Sequence, residues 1–252
     1  MVAGRTDIHF HVLPGVDDGP GTLDDALDLA RAAVEDATTT IVATPHVRAD
    51  FVTDVSELRD RVRELKAALA RAAIPVSVLP GAELGHEMVG RLRQRELDAI
   101  AQGPPGRRWL LVEAPFEGIG DAFNRATDEL RDRGFGVVVA HPERSGGLID
   151  SNRRGLDHEV AAGSGLQINA LSLAGHHGDA ARRAALALVD LGLATVVASD
   201  AHGGARRPAL TIARDLLVGQ GVAPGIARSL VQSGPRRLMA RGLDAAAPVP
   251  LG

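Results

Sequence analysis

Two histidines one residue apart, His9 and His11, lie near the start of the chain in the stretch Asp7-Ile8-His9-Phe10-His11. Because side chains alternate between the two faces of a strand, both imidazoles would point to the same side. Such a pair can bind a metal ion, and the turn that follows would let Asp18 approach the same point. The pair alone is a weak signal, since similar motifs also occur as exposed polar residues at a strand end.

Further potential ligands stand where other predicted strands end. Six of the seven predicted strands end in such a residue, and the later ones are His46, Glu83, Glu113, His141, Asp200 and His202. Taken singly, His46 and His141 could be turn residues beside prolines, and Glu83 or Glu113 would usually be solvated. In a parallel β/α barrel, however, the carboxyl ends of all strands meet on one face, where active sites lie. The shared position therefore favours one composite site.

Alternating strands and helices must hold these residues. Short β-branched runs alternate with amphipathic segments, which predicts an α/β fold with a mostly parallel sheet. Strands are predicted at the opening stretch and at residues 39–43, 76–79, 109–112, 136–140, 166–169 and 194–198. Helices are predicted near residues 23–34, 55–73, 87–95, 121–133, 180–190, 207–218, 226–232 and 236–241, with one more ending near residue 163.

Length and composition narrow the function further. The 252 residues fit one barrel-sized domain, which we expect over residues 1–244, followed by a tail at 245–252. A net charge of −4 and the absence of tyrosine argue against a nucleic-acid binder. No apolar run is long enough to span a bilayer and the N-terminus does not resemble a secretory signal, so a cytoplasmic location is expected.

The chain has no cysteine, so a metal site must use His, Asp and Glu. Nine donors exceed what one ion takes and suggest two or three ions, with a carboxylate as bridge. Clustered divalent ions activate a bound water or hydroxide and stabilise the oxygens of a displacement on phosphorus. Arg144 and Arg207 could clamp the phosphate by bidentate hydrogen bonds, whereas Arg206 is interpreted as a surface arginine.

Several motifs together resemble a known superfamily. They are DIHFHVLPGVDDG, ATPH, PGAE, LVEAP, AHPER, QINALSLAG and ASDAH, which occur in this order between residues 7 and 241. The chain resembles the polymerase-and-histidinol-phosphatase (PHP) superfamily, and within it the bacterial protein-tyrosine phosphatases of capsule and exopolysaccharide operons. The resemblance implies a distorted seven-stranded (β/α)7 TIM-like barrel with three divalent metal ions, Mn²⁺ before Zn²⁺, Fe or Mg²⁺.

The resemblance also implies a role for each matching residue. One ion would be held by His9, His11, Glu83 and Asp200; a second by Glu83 as bridge with Glu113 and His141; a third by Asp18, His46 and His202. Arg144 and Arg207 would bind phosphate. Asp7 is expected to contact a ligand without binding metal.

This sequence departs from the family pattern in two places. Phe10 stands where relatives often carry cysteine, and the segment after Arg144 lacks the usual asparagine-bearing loop, which leaves the role of residues 145–157 open. The remaining histidines match no ligand position and are expected on the surface or in loops: His86, His158, His176 and His177.

The preferred function is a metal-dependent phosphomonoesterase that removes phosphate from phosphotyrosine in the tail of a bacterial tyrosine kinase and so regulates exopolysaccharide or capsule production. Attack by a metal-held hydroxide is expected, because a chain without cysteine cannot form a cysteinyl-phosphate. Two alternatives stay open: a small-molecule phosphatase, such as one acting on histidinol phosphate, and a non-catalytic metal-binding partner of a polysaccharide-assembly complex.

Overall fold

A computed structural model of the chain describes residues 4–148 and 153–245. Within these ranges strands alternate with helices, and every pairing between the strands is parallel. The strands are β1 (Arg5–Phe10), β2 (Thr38–Ala43), β3 (His46–Val47), β4 (Ser77–Pro80), β5 (Glu83–Leu84), β6 (Trp109–Glu113), β7 (Gly136–Ala140), β8 (Gly165–Asn169) and β9 (Ala194–Ala198). The α/β class with parallel sheets is confirmed.

Ten α-helices surround the strands in the described part of the chain. They are α1 (Leu23–Glu35), α2 (Leu58–Arg71), α3 (Gln94–Ile100), α4 (Asp121–Asp132), α5 (Arg154–Ala161), α6 (Ala170–Leu173), α7 (Gly178–Asp190), α8 (Leu210–Gly219), α9 (Pro224–Arg228) and α10 (Gly234–Arg241). The helix predicted at 87–95 is instead a 3₁₀ helix, His86–Arg91, followed by α3. Gly90 lowers helix propensity there, and Leu92 has an extended backbone with ψ 134°.

The strand count differs from the seven strands predicted. The described residues form nine strands in two sheets, ordered β1-β2-β4 and β3-β5-β6-β7-β8-β9. The difference arises because the predicted strands at 39–43 and 76–79 are each followed by a separate two-residue strand. Thr44 and Pro45 separate β2 from β3, and Gly81 and Ala82 separate β4 from β5. Proline has no N–H to donate to the ladder, which favours a break beside it.

The last strand returns to the first. The backbone N–H of Asp200, just after β9, donates to the carbonyl of His9 at 3.0 Å, and the N–H of His11 donates to the carbonyl of Ala201 at 2.9 Å. On the other side, β3 and β5 pair with His46 opposite Glu83. Residues that are distant in sequence therefore meet at the carboxyl ends of the strands.

Apolar side chains pack in two clusters. The larger one fills the space between strands and helices. The smaller one joins β1, β2, β6, β7, β9 and α10 through Ile8, Val42, Trp109, Leu111, Val138, Ala140, Val196, Ala198 and Leu238. Because these side chains come from strands of both sheets, the smaller cluster is an apolar core that the two sheets share.

Parts of two predicted segments lie outside the described residues: 149–152, in the loop after Arg144, and 246–252, in the predicted tail. Among the described residues, no helix combines the length and the apolar character needed to cross a membrane.

Candidate metal centre

Eight of the nine predicted ligands fall into three overlapping clusters, in which every donor atom lies within 4.8 Å of the others. The clusters are His9, His11, Glu83 and Asp200; His11, Asp18, His46 and His202; and His46, Glu83 and Glu113. The ninth residue, His141, contacts Glu83, with Nε2 2.7 Å from Oε1. Strand ends thus bring all nine together, and Glu83 belongs to two clusters, as a bridging carboxylate would.

The first cluster has the dimensions of a metal-binding site. Nε2 of His9 lies 3.2 Å from Nε2 of His11, 3.2 Å from Oε2 of Glu83 and 3.3 Å from Oδ1 of Asp200. Nε2 of His11 lies 3.4 Å and 3.5 Å from the same two oxygens. Four donors at about 2.1 Å around one tetrahedral ion would be separated by about 3.4 Å. The donor atoms therefore converge as ligands of one ion would.

The other two clusters have similar short contacts, apart from one longer distance to Glu113. In one, Oδ1 of Asp18 lies 3.1 Å from Nε2 of His202 and 3.4 Å from Nε2 of His46. In the other, Nδ1 of His46 lies 2.9 Å from Oε2 of Glu83 and 3.9 Å from Oε2 of Glu113. Within the described residues, Glu113 shares a cluster with His46 and not with His141. The assignment of His141 to the same ion as Glu113 stays a prediction.

Several buried donor atoms of the clusters lack a hydrogen-bond partner. They are Nδ1 of His46, Oε2 of Glu83, Oδ1 of Asp200 and Nε2 of His202. Buried polar atoms are normally paired, and a bound cation would supply the partner that these atoms lack. Imidazole nitrogens and carboxylate oxygens are the donors that Zn²⁺ and similar ions use. The residues present therefore fit divalent metal ions.

Two neighbouring side chains, which sequence reasoning missed, orient the first histidine pair. Asp17 Oδ2 lies 2.7 Å from Nδ1 of His11, and Gln167 Oε1 lies 2.9 Å from Nδ1 of His9. These contacts leave both Nε2 atoms directed at the cluster, as is usual for histidines that bind metal. The only sequence signal was the position of Asp17 in the turn and of Gln167 on a predicted strand.

Two predicted ligands have a left-handed backbone. His141 has φ 34° and Asp200 has φ 51°, a conformation that is uncommon for residues other than glycine. His141 directly follows β7, and Asp200 lies just after β9; both strands end at the centre. Strained residues of this kind concentrate at functional sites, where surrounding contacts hold them. The backbone therefore turns these two side chains towards the cluster.

The charges of the centre stabilise one another. Burial disfavours a charged His9, but Glu83 and Asp200 outweigh it and raise its pKa to about 9. Burial likewise opposes protonation of His46, but Asp18 and Glu83 raise its pKa to about 11. The adjacent imidazoles of His202 and His46, 3.1 Å and 3.4 Å from Oδ1 of Asp18, hold the pKa of Asp18 far below its usual range. Nearby imidazoles likewise hold the pKa values of Glu83 and Asp200 below their usual range, so Asp18, Glu83 and Asp200 are charged at neutral pH and suited to cations.

Arg144 and Arg206 reach this centre, whereas Arg207 lies farther out. Arg144 donates from Nη1 to Oδ2 of Asp200 at 3.1 Å. Arg206 donates to the same oxygen at 2.8 Å and lies 3.4 Å from Asp18. The interpretation of Arg206 as a plain surface arginine is therefore wrong: it is half-buried and paired with two predicted ligands. Arg207 is exposed and lines a cavity of about 300 Å³ next to His202; its phosphate role stays a prediction.

Arg48 is another residue that sequence reasoning missed. Its Nη1 donates to Oε2 of Glu113 at 2.8 Å, so it compensates the charge of a buried carboxylate.

Asp7 lies beside the centre and accepts hydrogen bonds from the backbone N–H groups of Ser199 and His9. Burial raises the pKa of Asp7 to about 6. Asp7 thus links β1 to the end of β9 beside the ligands.

The four remaining histidines belong to none of the clusters in the described residues: His86, His158, His176 and His177. His176 and His158 are exposed, and Nε2 of His158 lies 3.0 Å from Asp128. His177 is half-buried beside Arg144 and lies 2.9 Å from the Ser172 hydroxyl. Phe10 is fully buried in the core.

Comparison with known proteins identifies relatives of this chain. Residues 5–239 match the model of the family described as "Capsular polysaccharide synthesis, CpsB/CapC". The chain is 36% identical over 199 residues to the tyrosine-protein phosphatase YwqE of Bacillus subtilis, covering 78% of this chain and 76% of YwqE. It is 24% identical over 242 residues to the tyrosine-protein phosphatase CpsB of Streptococcus pneumoniae, covering 92% and 97%.

Solved structures show the same relationship. One from the pair YwqE of B. subtilis and CpsB of S. pneumoniae, described as metal-dependent tyrosine phosphatases, superposes with a TM-score of 0.80 at 29% identity and covers 97% of this chain and 99% of that one. The phosphotriesterase homology protein of Escherichia coli, at 15% identity, has a TM-score of 0.61 over 93% and 98% of the chains and shares the fold. The match over residues 5–239 establishes that this chain belongs to the CpsB/CapC family.

Proposed function

We propose that this chain is a metal-dependent phosphomonoesterase that hydrolyses phosphotyrosine in a protein. The observation that carries the proposal is the cluster of His9, His11, Glu83 and Asp200, whose donor atoms converge at 3.2 to 3.5 Å beside Arg144. The relatives named tyrosine-protein phosphatases support the substrate. The tail of a bacterial tyrosine kinase in capsule or exopolysaccharide regulation is the proposed partner.

The proposed cofactor is three divalent ions, Mn²⁺ before Zn²⁺, Fe or Mg²⁺, held by the nine predicted ligands. The three overlapping clusters support this number. When bound, such ions lower the pKa of water and neutralise charge on phosphoryl oxygens. Asp17 and Gln167 hold the imidazoles in one orientation, and Arg144 donates hydrogen bonds to the phosphate.

We also propose that the nine strands act as seven strands of one closed barrel, in a single domain over residues 1–244. Counting β2 with β3 and β4 with β5 would give seven, and the parallel bridge between Phe10 and Ala201 supports closure between β1 and the end of β9. The shared cluster of Ile8, Val138 and Val196 supports a common interior. A cytoplasmic location stays a prediction of the sequence.

Phosphate release after chelation and reloading with Mn²⁺ tests the activity. A phosphotyrosine peptide and histidinol phosphate serve as substrates, and Asp200→Ala serves as the inactive control. We expect Mn²⁺-dependent release from the peptide by the wild-type chain and none by the variant. Release from histidinol phosphate alone would support a small-molecule phosphatase. Release from neither substrate by metal-loaded protein would contradict the proposed activity and support the non-catalytic binding partner.

A further inference from the structure

Aromatic side chains are scarce in this chain, and the two exposed ones both lie at the candidate metal centre. The sequence has five phenylalanines, one tryptophan and no tyrosine. Four of these six are buried: Phe10, Trp109, Phe123 and Phe135. Phe51 and Phe116 are 39% and 47% exposed. A single exposed ring needs no explanation, but both of these rings stack on predicted ligands and so lie beside the candidate metal centre.

The two exposed phenylalanines stand at opposite ends of a row of imidazoles. Ring centroids along the row are 5.2 Å apart for Phe51 and His46, 4.6 Å for His46 and His11, 5.3 Å for His11 and His9, 5.5 Å for His9 and His141, and 6.2 Å for His141 and Phe116. The Phe116 ring is nearly parallel to that of His141, with an interplanar angle of 10°.

In the described part of the chain, a positively charged group lies over the ring at the Phe116 end. The guanidinium carbon of Arg144 lies 4.8 Å from the centroid of Phe116, while Nη1 of Arg144 reaches Asp200. The guanidinium therefore connects the ring to the predicted ligands. A ring beside a cation suits an aryl phosphate, in which one oxygen joins an aromatic ring to a dianionic group.

A cavity of about 460 Å³ opens beside this ring. Its walls include Phe116, Glu143, Arg144, Leu148, His177 and Arg183. Arg144 and Arg183 favour an anionic ligand. The Glu143 carboxyl is held back by the Ser172 hydroxyl and the backbone N–H of Asn169, which donate to its Oε1 at 2.7 Å and 2.9 Å. The cavity thus combines an aromatic wall with positive charge.

We propose that Phe116 is a specificity-determining residue, whose ring packs against the aromatic ring of an aryl phosphate while Arg144 binds the phosphoryl group. The inference rests on the proposed function, which it deepens by assigning the preference for aryl over alkyl phosphates to one side chain. Aromatic pairs prefer offset or edge-to-face contact, for which the exposed part of the Phe116 ring is available.

Phenylphosphonate and propylphosphonate test this assignment, because neither is hydrolysed. Binding of each to Mn²⁺-loaded protein is measured by calorimetry for the wild type, Phe116→Leu and Phe116→Tyr. We expect the wild type to prefer phenylphosphonate, Phe116→Leu to lose about five- to tenfold of that preference, and Phe116→Tyr to keep it. Because binding is measured without turnover, an inactive wild type would overturn the proposed function while still testing Phe116.

Phe51→Leu is the matched control, since Phe51 also stacks on a predicted ligand, and it should leave the preference unchanged. Metal content is measured on every variant. A wild type without preference, or an unchanged preference in Phe116→Leu, would overturn the proposal. So would equal losses for both phosphonates in Phe116→Leu, because they would mean that Phe116 only supports His141.

Discussion

Arg206 donates a hydrogen bond of 2.8 Å from Nη2 to Oδ2 of Asp200, while its neighbour Arg207 is exposed. Arg206 lies 3.4 Å from Asp18 as well, so its charge stands between carboxylates that belong to two different donor clusters. A phosphate bound at these clusters would lie within the field of this guanidinium. Arg206 is therefore a candidate for transition-state stabilisation beside Arg144.

Substitution of the two neighbouring arginines separates their roles. We expect Arg206→Gln to lower kcat/KM for a phosphotyrosine peptide by about 100-fold, the size of losing one donor to developing charge. Arg207→Gln tests the arginine that the sequence indicated. A loss in both variants would give both residues a role, whereas a loss confined to Arg207→Gln would contradict the assignment of Arg206.

Metal content tests the role of His141. Because His141 contacts Glu83 at 2.7 Å, His141→Ala should reduce the metal retained per chain, measured by elemental analysis after dialysis. His158→Ala is the matched control, since that exposed imidazole contacts Asp128 and belongs to none of the donor clusters in the described residues. Full retention of metal by His141→Ala would remove this residue from the ligand set.

Metal binding should release protons. Glu83 and Asp200, acting against burial, raise the pKa of His9 to about 9, and Asp18 and Glu83 raise that of His46 to about 11. Both imidazoles are therefore protonated near neutral pH in the metal-free chain, and each must lose its proton to bind an ion. Affinity for Mn²⁺ should rise with pH.

Calorimetry of Mn²⁺ binding in buffers with different ionisation enthalpies measures the protons released. We expect at least one proton per chain at neutral pH. Identical apparent enthalpies in all buffers would contradict the protonation of these histidines in the metal-free chain.

A buried ion pair far from the centre should dominate the stability of the α4–α5 contact. The Glu159 side chain is fully buried, contacts Arg131 and accepts hydrogen bonds from Asn124 and Thr127. Glu159→Ala removes the buried carboxylate partner of Arg131 and leaves it with the half-exposed Asp128, so the free energy of unfolding should fall by about 3 kcal/mol in urea denaturation.

The exposed pair of Asp60 and Arg63 provides the comparison for this measurement. Both side chains are more than half exposed, and Asp60→Ala should change the free energy of unfolding by less than about 1 kcal/mol. Equal effects of Glu159→Ala and Asp60→Ala would contradict the importance of burial.

Strand-end position was enough to indicate the donors. His9 and His11 are two residues apart on an extended segment, and their Nε2 atoms meet at 3.2 Å as the alternation of strand side chains predicts. His46 and Glu83 lie opposite each other because β3 and β5 pair in parallel and end on the same face. Strand alternation and the parallel arrangement of the strands determine these placements, so both can be inferred from a single sequence.

Other features depend on contacts that no local pattern encodes. Gln167 reaches His9 across 158 positions in the sequence. The choice between Arg206 and Arg207 depends on the turn that begins at Gly203 and Gly204, both with positive φ, and ends with a backbone bridge between Gly203 and Arg206. The left-handed backbone of His141 and Asp200 could not be predicted from the sequence either, because most histidines and aspartates do not adopt it.

The hydrogen bond from the backbone N–H of Asp200 to the carbonyl of His9 joins two residues that are synthesised at different times. The ribosome makes the imidazole pair well before the carboxylate that completes its cluster. A nascent chain therefore displays His9 and His11 before Asp200 exists, and the full donor set forms only when the end of β9 docks on β1. Acquisition of metal at this cluster should accordingly follow the synthesis of Asp200, and a chain that stops before residue 200 should fail to retain it.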